Sequence, residues 1–401
     1  MRQKLFCLWV VTAAIACAGL AAYLTAHYYF VLKGTLFTGG PCSDRGIFDC
    51  SSVAFSEAGS LWGLPIALYG LMLYLGVAIL GLLALGSGED LRRAALSLVC
   101  AVAACMTVYD AYLLWVMFFK IKAICIFCLA THALNLALLI SLLVFLRPVR
   151  LGRFLSDGIG LFRFRIGAGG MGLAWLITGF ALAMLTLGVG GGILTRGLIL
   201  GDTDEMRAFF EHQLKQQTPV VTAKGDNPSK GATQPRIEIV KFSDFECPSC
   251  RRASRYLKLV QARYPNEVSI TYKNFPLDSS CNAFVRNRVH LRACRLALMG
   301  ECAFKQNRFW EYHDTVFRLG ADSPVDKIEG ELKKAGLNVI ELKSCAEGRE
   351  AWQALQSDVQ EAAALAVDTT PTLIINGYHF QGDLPPWSLE ILMQLLLEKK
   401  T

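Results

Sequence analysis

Charge is scarce in this 401-residue chain: Asp, Glu, Lys and Arg make up 18% of it, and there are only six histidines. What charge exists avoids five long runs. Leu5 to Leu32, Leu61 to Leu85, Ala94 to Phe119, Ala123 to Leu146 and Ile166 to Thr195 contain one acidic or basic residue between them, Asp110. A helix of about 20 apolar residues crosses hydrocarbon, so these runs exclude a wholly soluble first half. A phosphate-cradling glycine motif is also missing, and nothing calls for a bound nucleotide. The net charge of +7 comes largely from arginines flanking the apolar runs, which argues against a nucleic-acid surface.

The pattern predicts five membrane helices, the last of them rich in glycine. Arg2 and Lys4, Arg92 and Arg93, and Arg147, Arg150, Arg153, Arg163 and Arg165 all fall on one side, which the positive-inside rule makes cytoplasmic. The N-terminus is then cytoplasmic and the C-terminal half lies beyond the inner membrane, in a periplasm or its equivalent. The first apolar run is too long for a signal-peptide core and is expected to be retained. Fourteen cysteines in a chain with an exported half suit an oxidising compartment.

The cysteines fall into groups. Cys42 and Cys50 lie in a polar loop after the first span, where they can form a redox pair or a static staple. Cys125 and Cys128 open the fourth span, both on one helix face. At a first helical turn the positive end of the dipole favours thiolate, and Lys120 and Lys122 add positive charge. Zinc is the rival ligand, but no second cysteine pair or histidine set stands nearby to complete a tetrahedral site. Cys7, Cys17, Cys100 and Cys105 sit within apolar runs and are expected to be buried small hydrophobes. Asp110 is an acid inside a span, a costly placement that points to function or to pairing with His132.

The loop pair, Ser56, Gly63-Leu64-Pro65 opening span two and the Cys-x-x-Cys opening span four together resemble the bacterial vitamin K epoxide reductase family, over roughly residues 1–146. The resemblance implies a four-helix bundle holding a quinone, ubiquinone or menaquinone, near the outer membrane face. On that pattern Cys128 adjoins the quinone and Cys125 exchanges with Cys42 or Cys50. Ser56 matches the family's loop serine, as a quinone neighbour or a loop cap. Animal members carry a tyrosine where this chain has His132, which favours quinone over vitamin K epoxide. His132 is a possible donor to a quinone oxygen or a packing residue, and Asp110 a possible proton acceptor.

Residues 201–235 are expected to form a linker, with a short amphipathic stretch to Leu214 and then a Lys/Gly/Asn/Pro/Ser-containing segment, Thr222 to Pro235, that suits a flexible tether. Such a tether raises the effective concentration of what it carries, into the millimolar range. Beyond it, Ile237 to Phe245 reads as a strand, Cys247-Pro-Ser-Cys250 follows, then an amphipathic helix and a second strand from Val268 to Phe275. A Cys-x-x-Cys at a strand-to-helix junction reads as a thioredoxin-like redox motif. Cys247 is the expected exposed nucleophile and Cys250 the buried resolving thiol. A purely structural bridge this short closes almost no loop entropy.

Thr370-Pro371-Thr372 resembles the cis-proline segment of thioredoxin-fold proteins, and Cys302 to His313 resembles the helical insert of DsbA-like oxidoreductases. That second resemblance covers residues 235–400. Cys281, Cys294, Cys302 and Cys345 are expected to form up to two structural bridges, with Cys302–Cys345 the preferred pair among three connectivities. His290 and His313 read as surface or packing residues.

The expected fold is a membrane α-helical bundle, with a four-helix core plus a fifth linking helix, followed by an α/β thioredoxin-like domain with a helical insertion. The bundle takes residues 1–150, the basic connection and fifth helix 151–200, the linker 201–235 and the soluble domain 236–401. The expected function is disulfide generation in reduced exported proteins. Electrons pass from Cys247/Cys250 through Cys42/Cys50 to Cys125/Cys128 and then to the membrane quinone pool, with no metal. The alternatives are a soluble domain with isomerase or reductase work, and a disulfide-stapled membrane protein that only binds.

Overall fold

The computed structural model describes residues 2–34, 48–61, 64–146, 203–223, 225–320 and 323–399, with a few isolated positions between 186 and 197. Cys42, Gly63, most of the fifth apolar run and the basic connection before it lie outside the described residues. The chain divides into two compact units, one from the N-terminal half and one from residue 202 onward.

Among the described residues of the first unit, four helices are long and apolar enough to cross a membrane: α1 (Arg2–Leu32), α3 (Ile66–Gly86), α4 (Glu89–Trp115, extended by a π-turn to Ile121) and α5 (Ile126–Phe145). Small side chains let the helices approach closely. A Cβ added at Gly81 of α3 would sit 2.8 Å from Val11 of α1. Cys7, Ala14, Val77, Ala84, Val99 and Leu138 share one buried cluster contributed by all four helices. A short helix, α2 (Cys50–Phe55), and a two-residue hairpin, β1 (Ser60–Leu61) with β2 (Leu64–Pro65), lie between α1 and α3.

The second unit is built on a five-stranded sheet. Its strands are β3 (Ser229–Gly231), β4 (Ile237–Ser243), β5 (Val268–Asn274), β6 (Thr372–Ile375) and β7 (Tyr378–Gln381), in the order β3-β5-β4-β6-β7. Only β4 and β5 run parallel, and the helix Pro248–Arg263 between them completes a βαβ crossover. The insertion between β5 and β6 holds five helices: Ala293–Lys305, Phe309–Leu319, Val325–Lys334, Val339–Ala346 and Arg349–Ala364. It is pinned by Cys281–Cys294 and Cys302–Cys345.

The expected linker over 201–235 is corrected here. Thr203–Gln216 is a helix that buries Phe210 and Leu214, and Phe210 packs edge-on against Phe380 of β7. Ser229–Gly231 is an edge strand paired with β5. Gly231 has φ +110°, which a glycine supplies without strain. The Gly/Pro/Asn composition that suggested a tether also suits turns on either side of a short edge strand.

Candidate functional site

Two cysteine sites stand in the described residues, one in each unit. In the bundle, the π-turn ends at Lys122, which takes a left-handed conformation (φ 55°). The chain then re-enters at Cys125, the N-cap of α5. Cys125 and Cys128 are disulfide-bonded, and the Cys128 N–H points at the Cys125 sulfur from 3.1 Å. The Cys125 N–H donates to the Met117 sulfur at 3.3 Å. Asp49 caps α2 by accepting from the Ser52 N–H at 2.9 Å. Its own N–H donates to the Ile124 carbonyl at 3.0 Å, which ties α2 to the start of α5. Cys50 and Cys125 are thereby buried in one cluster with Leu24 and Met117. Cys50 is itself disulfide-bonded.

Beside this pair lies a cavity of about 710 Å³, walled mostly by apolar side chains of the bundle. Its polar lining includes Ser56, Asp110, Cys128, Thr131 and His132. Asp110 accepts from Asn135 at 2.7 Å and lies 2.7 Å from His132 Nδ1, so the intramembrane acid is paired. The Ser56 hydroxyl donates to the Val53 carbonyl at 2.8 Å, closing the end of α2 while its residue faces the cavity. Cys7, Cys17 and Cys100 are buried thiols, but Cys105 is exposed and lines the cavity. The expectation of a buried Cys105 is corrected: it lies on the face of α4 that borders the cavity.

In the soluble unit, β4 ends at Ser243 and Cys247 caps the helix Pro248–Arg263. Pro248 occupies the first turn, where its missing N–H costs nothing. Both thiols are free. The Cys250 N–H donates to the Cys247 sulfur at 3.4 Å, and the Cys247 thiol lies 3.4 Å from the Thr370 carbonyl. The Thr370–Pro371 bond is cis, so the loop before β6 presents that carbonyl to the thiol. The hydrogen bond from Cys250 pulls the Cys247 thiol down to about 6, while burial pushes Cys250 well above the usual thiol range. Cys247 is 7% exposed, so the expectation of an open nucleophile is corrected: the cis-proline loop covers it.

Several residues that sequence reading passed over surround this pair. Asp244 is fully buried and accepts from the Leu277 and Glu246 N–H groups, each at 2.7 Å. His290 lies 2.8 Å from it, and that contact raises the His290 pKa. His290 is therefore attached to the thiol site rather than a bystander. Lys241, 1% exposed, donates to the Cys250 carbonyl at 3.0 Å. A lysine set among Ile239, Val240 and Phe242 of the central strand was the available signal for it. Among the described residues no cluster of His, Cys, Asp or Glu could hold a metal ion.

Comparison with known proteins divides the chain at the same place. Residues 8–143 match the model of the vitamin K epoxide reductase family, and residues 223–394 match a thioredoxin model. The chain is 26% identical over 169 residues to a Na(+)/H(+) antiporter NhaA 1 of Mycolicibacterium gilvum, a match covering 42% of this chain and 25% of the antiporter. The chain thus spans about a quarter of the length of such curated relatives. It is 25% identical over 161 residues to a probable disulfide bond formation protein D of Bacillus anthracis, covering 37% of this chain and 69% of that protein. Among solved structures, BdbD of Bacillus subtilis in its oxidised form aligns at 16% identity and a TM-score of 0.39, covering 45% of this chain and 98% of that one. A thioredoxin-like oxidoreductase of Silicibacter pomeroyi aligns at 18% identity and 0.38, covering 44% and 93%.

Proposed function

We propose that this chain, which joins a vitamin K epoxide reductase family domain to a thioredoxin domain, is a membrane thiol–disulfide oxidoreductase that makes disulfides in exported proteins and disposes of the electrons on a quinone. The observation that carries the reading is the apolar cavity of about 710 Å³ that meets the Cys125–Cys128 disulfide at Cys128. Its size suits a small-molecule ligand. An apolar wall with polar groups at Cys128, Asp110 and His132 fits the amphipathic ring of a quinone. A bound quinone would supply a two-electron, two-proton acceptor.

The chain's own residues supply the rest. In the oxidised form a client thiolate attacks Cys247 of the Cys247–Cys250 disulfide and Cys250 leaves as thiolate; a second client thiol then displaces Cys247 to complete the new disulfide, which leaves Cys247 and Cys250 as a dithiol. The Cys247 thiolate, favoured at neutral pH by its lowered pKa, attacks the Cys42–Cys50 disulfide, and Cys250 resolves the mixed disulfide to re-form Cys247–Cys250 and release the loop dithiol. That pair, now reduced, exchanges with Cys125, which shares a buried cluster with Cys50. The two electrons end on Cys125 and Cys128. His132, held by Asp110, faces the cavity one helical turn beyond Cys128 and is the nearest proton carrier we assign to this site. Pro371 fixes the Thr370 carbonyl against the Cys247 thiol. Five spans, a cytoplasmic N-terminus and a soluble unit on the outer side complete the reading.

Purified full-length chain, given a reduced unfolded protein and a quinone, is expected to form quinol in step with client disulfides. Client oxidation without quinol would sink the quinone-linked reading. Client disulfides that form only by rearrangement, without net thiol loss, would favour isomerase work.

A further inference from the structure

The loop between β5 and the helix Ala293–Lys305 carries features that neither thiol exchange nor packing uses. Between Asp278 and Glu301 the chain has four arginines and no acidic residue. Phe284, Val289 and Leu291 are 58%, 60% and 68% exposed. Large apolar side chains left in water and rimmed by polar ones mark an interaction surface.

Their exposure is built in, because the loop backbone is fixed. Cys281–Cys294 closes it. The Val289 and His290 N–H groups donate to the Leu277 carbonyl at 2.9 and 3.1 Å, and the Phe284 N–H donates to Asn282 Oδ1 at 3.1 Å. Arg288 Nε donates to Asp278 at 2.9 Å, and the Arg292 backbone N–H and Nε donate to Glu246 at 2.6 and 2.9 Å. The acids that anchor the loop lie beneath it. The Asp244 and Asp278 side chains are fully buried, whereas that of Arg288 is 53% exposed. Arg286 is exposed and forms no ion pair among the described residues. The face turned to water is therefore cationic and apolar together.

The shape favours one kind of partner. Peptides are taken up in concave grooves or along open sheet edges. This surface is instead a stapled loop with apolar side chains exposed at its turns and arginines between them. Such a mixture suits the boundary between lipid headgroups and acyl chains, where apolar tips enter hydrocarbon and basic groups meet phosphates. A bilayer is at hand, since the same chain carries four helices able to cross one.

We propose that the loop 282–292 docks the soluble unit on an anionic lipid surface, with Phe284, Val289 and Leu291 in the interface and Arg286 and Arg288 at the headgroup phosphates. The inference goes beyond the proposed function and stands without it. Its consequence is a place for the thiol site. His290 and Arg292 hold Asp244 and Glu246, just ahead of Cys247, so a docked loop keeps Cys247 close to the bilayer surface.

The test uses the full-length chain in nanodiscs of phosphatidylcholine alone or in equal mixture with phosphatidylglycerol. Phe284 is replaced by its photoreactive analogue p-benzoylphenylalanine, and lipid adducts at position 284 are quantified by mass spectrometry after illumination. Adducts are expected to be about fivefold more abundant in the mixed discs, the effect of one basic residue at an anionic surface. Arg286→Gln should lower that yield about fivefold, and high salt should lower it as well, because exposed charges are screened. Leu291→Ser should lower the yield in both bilayers. These side chains are exposed, so alkylation of Cys247 should match the parent in every variant. Equal yields in the two bilayers overturn the dock. A matching yield from the same probe at Ile340, 78% exposed on the helix Val339–Ala346, also overturns it, because tethering alone would then bring the unit to lipid. A reduced unfolded protein is added as competitor. If the probe at position 284 labels that protein and spares the lipid, the loop is a client surface and the lipid dock falls.

Discussion

The two Cys-x-x-Cys motifs share a local design and differ in what lies behind it. At each, the first cysteine caps a helix and its sulfur accepts from the N–H of the second, at 3.1 Å in the bundle and 3.4 Å in the soluble unit. Around Cys125 the neighbours are Leu24, Met117 and Phe127, and an apolar cavity opens at Cys128. Around Cys247 and Cys250 they are Lys241, Asp244 and the Thr370 carbonyl. A helix N-terminus makes a thiol reactive in either place. The second layer decides where electrons and protons can go next. On the proposed function, the apolar wall suits a small lipid-soluble acceptor and the polar surroundings suit exchange with other thiols.

The contrast can be broken most severely at the cysteines. Cys128→Ala is expected to reduce quinol formation to background while a single round of exchange between Cys247 and a client survives. Cys247→Ser should do the reverse, abolishing client oxidation while the bundle still passes electrons from dithiothreitol to quinone. Stopped-flow absorbance of the quinone and gel-shift trapping of client thiols separate the two. If either variant lost both activities, the two pairs would not be distinct stations.

Next in size is a staple that belongs to one unit only. Cys302–Cys345 closes a loop of 43-residue separation. Replacing both with alanine is expected to cost the soluble unit about 4 kcal/mol by the loop-entropy relation. Differential scanning calorimetry should show the soluble transition falling while any transition of the bundle stays put.

A smaller effect is expected at the cavity. Asp110→Asn keeps the shape but removes the carboxylate that holds His132 and Asn135. Quinol formation should slow by about a hundredfold if the pair manages protons, with client exchange at Cys247 unaltered. Equal slowing of both reactions would mark Asp110 as a fold residue.

The mildest test is pH. Cys247 is lowered to about 6, so its alkylation by iodoacetamide should be half-maximal near that value rather than in the ordinary thiol range. The sign for stability follows. A folded thiol with a depressed pKa stabilises the reduced native state above the unfolded thiol value, about 8.5, and that gain is lost as pH falls towards 6. Denaturant titrations of the reduced protein should show stability rising across that window. The oxidised protein, with no titrating thiol at Cys247, should lack the rise.

Four of the expected spans, the Cys-x-x-Cys pairs and Pro371 were legible because each is a local pattern: an uncharged run, a spacing of three, a dipeptide before a strand. Cys302–Cys345 was preferred among three pairings, yet nothing in the spacing could exclude the others. The partners of Lys241 were not legible, since Ser254 and His313 come from helices whose packing is set by long-range contacts. Cys105 and Asp110 sit in the same span, and periodicity alone does not say which face of α4 meets a cavity. The supposed linker failed for a related reason. Composition registers that a segment can turn, but strand pairing depends on a partner some forty residues further along.

That misread segment has a consequence for the sheet it borders. An open sheet edge offers any extended peptide a row of unpaired donors and acceptors. Here the described residues before β4 border both sides of the sheet. Gln217 grips the backbone of His379, accepting from its N–H at 2.7 Å and donating to its carbonyl at 3.1 Å, and the Val220 N–H donates to the Gly377 carbonyl at 2.9 Å. At the opposite rim, Ser229–Gly231 occupies the edge of β5, and that three-residue strip carries a lysine. The segment acts as a hem that leaves an extended peptide little free backbone on which to add as a sixth strand.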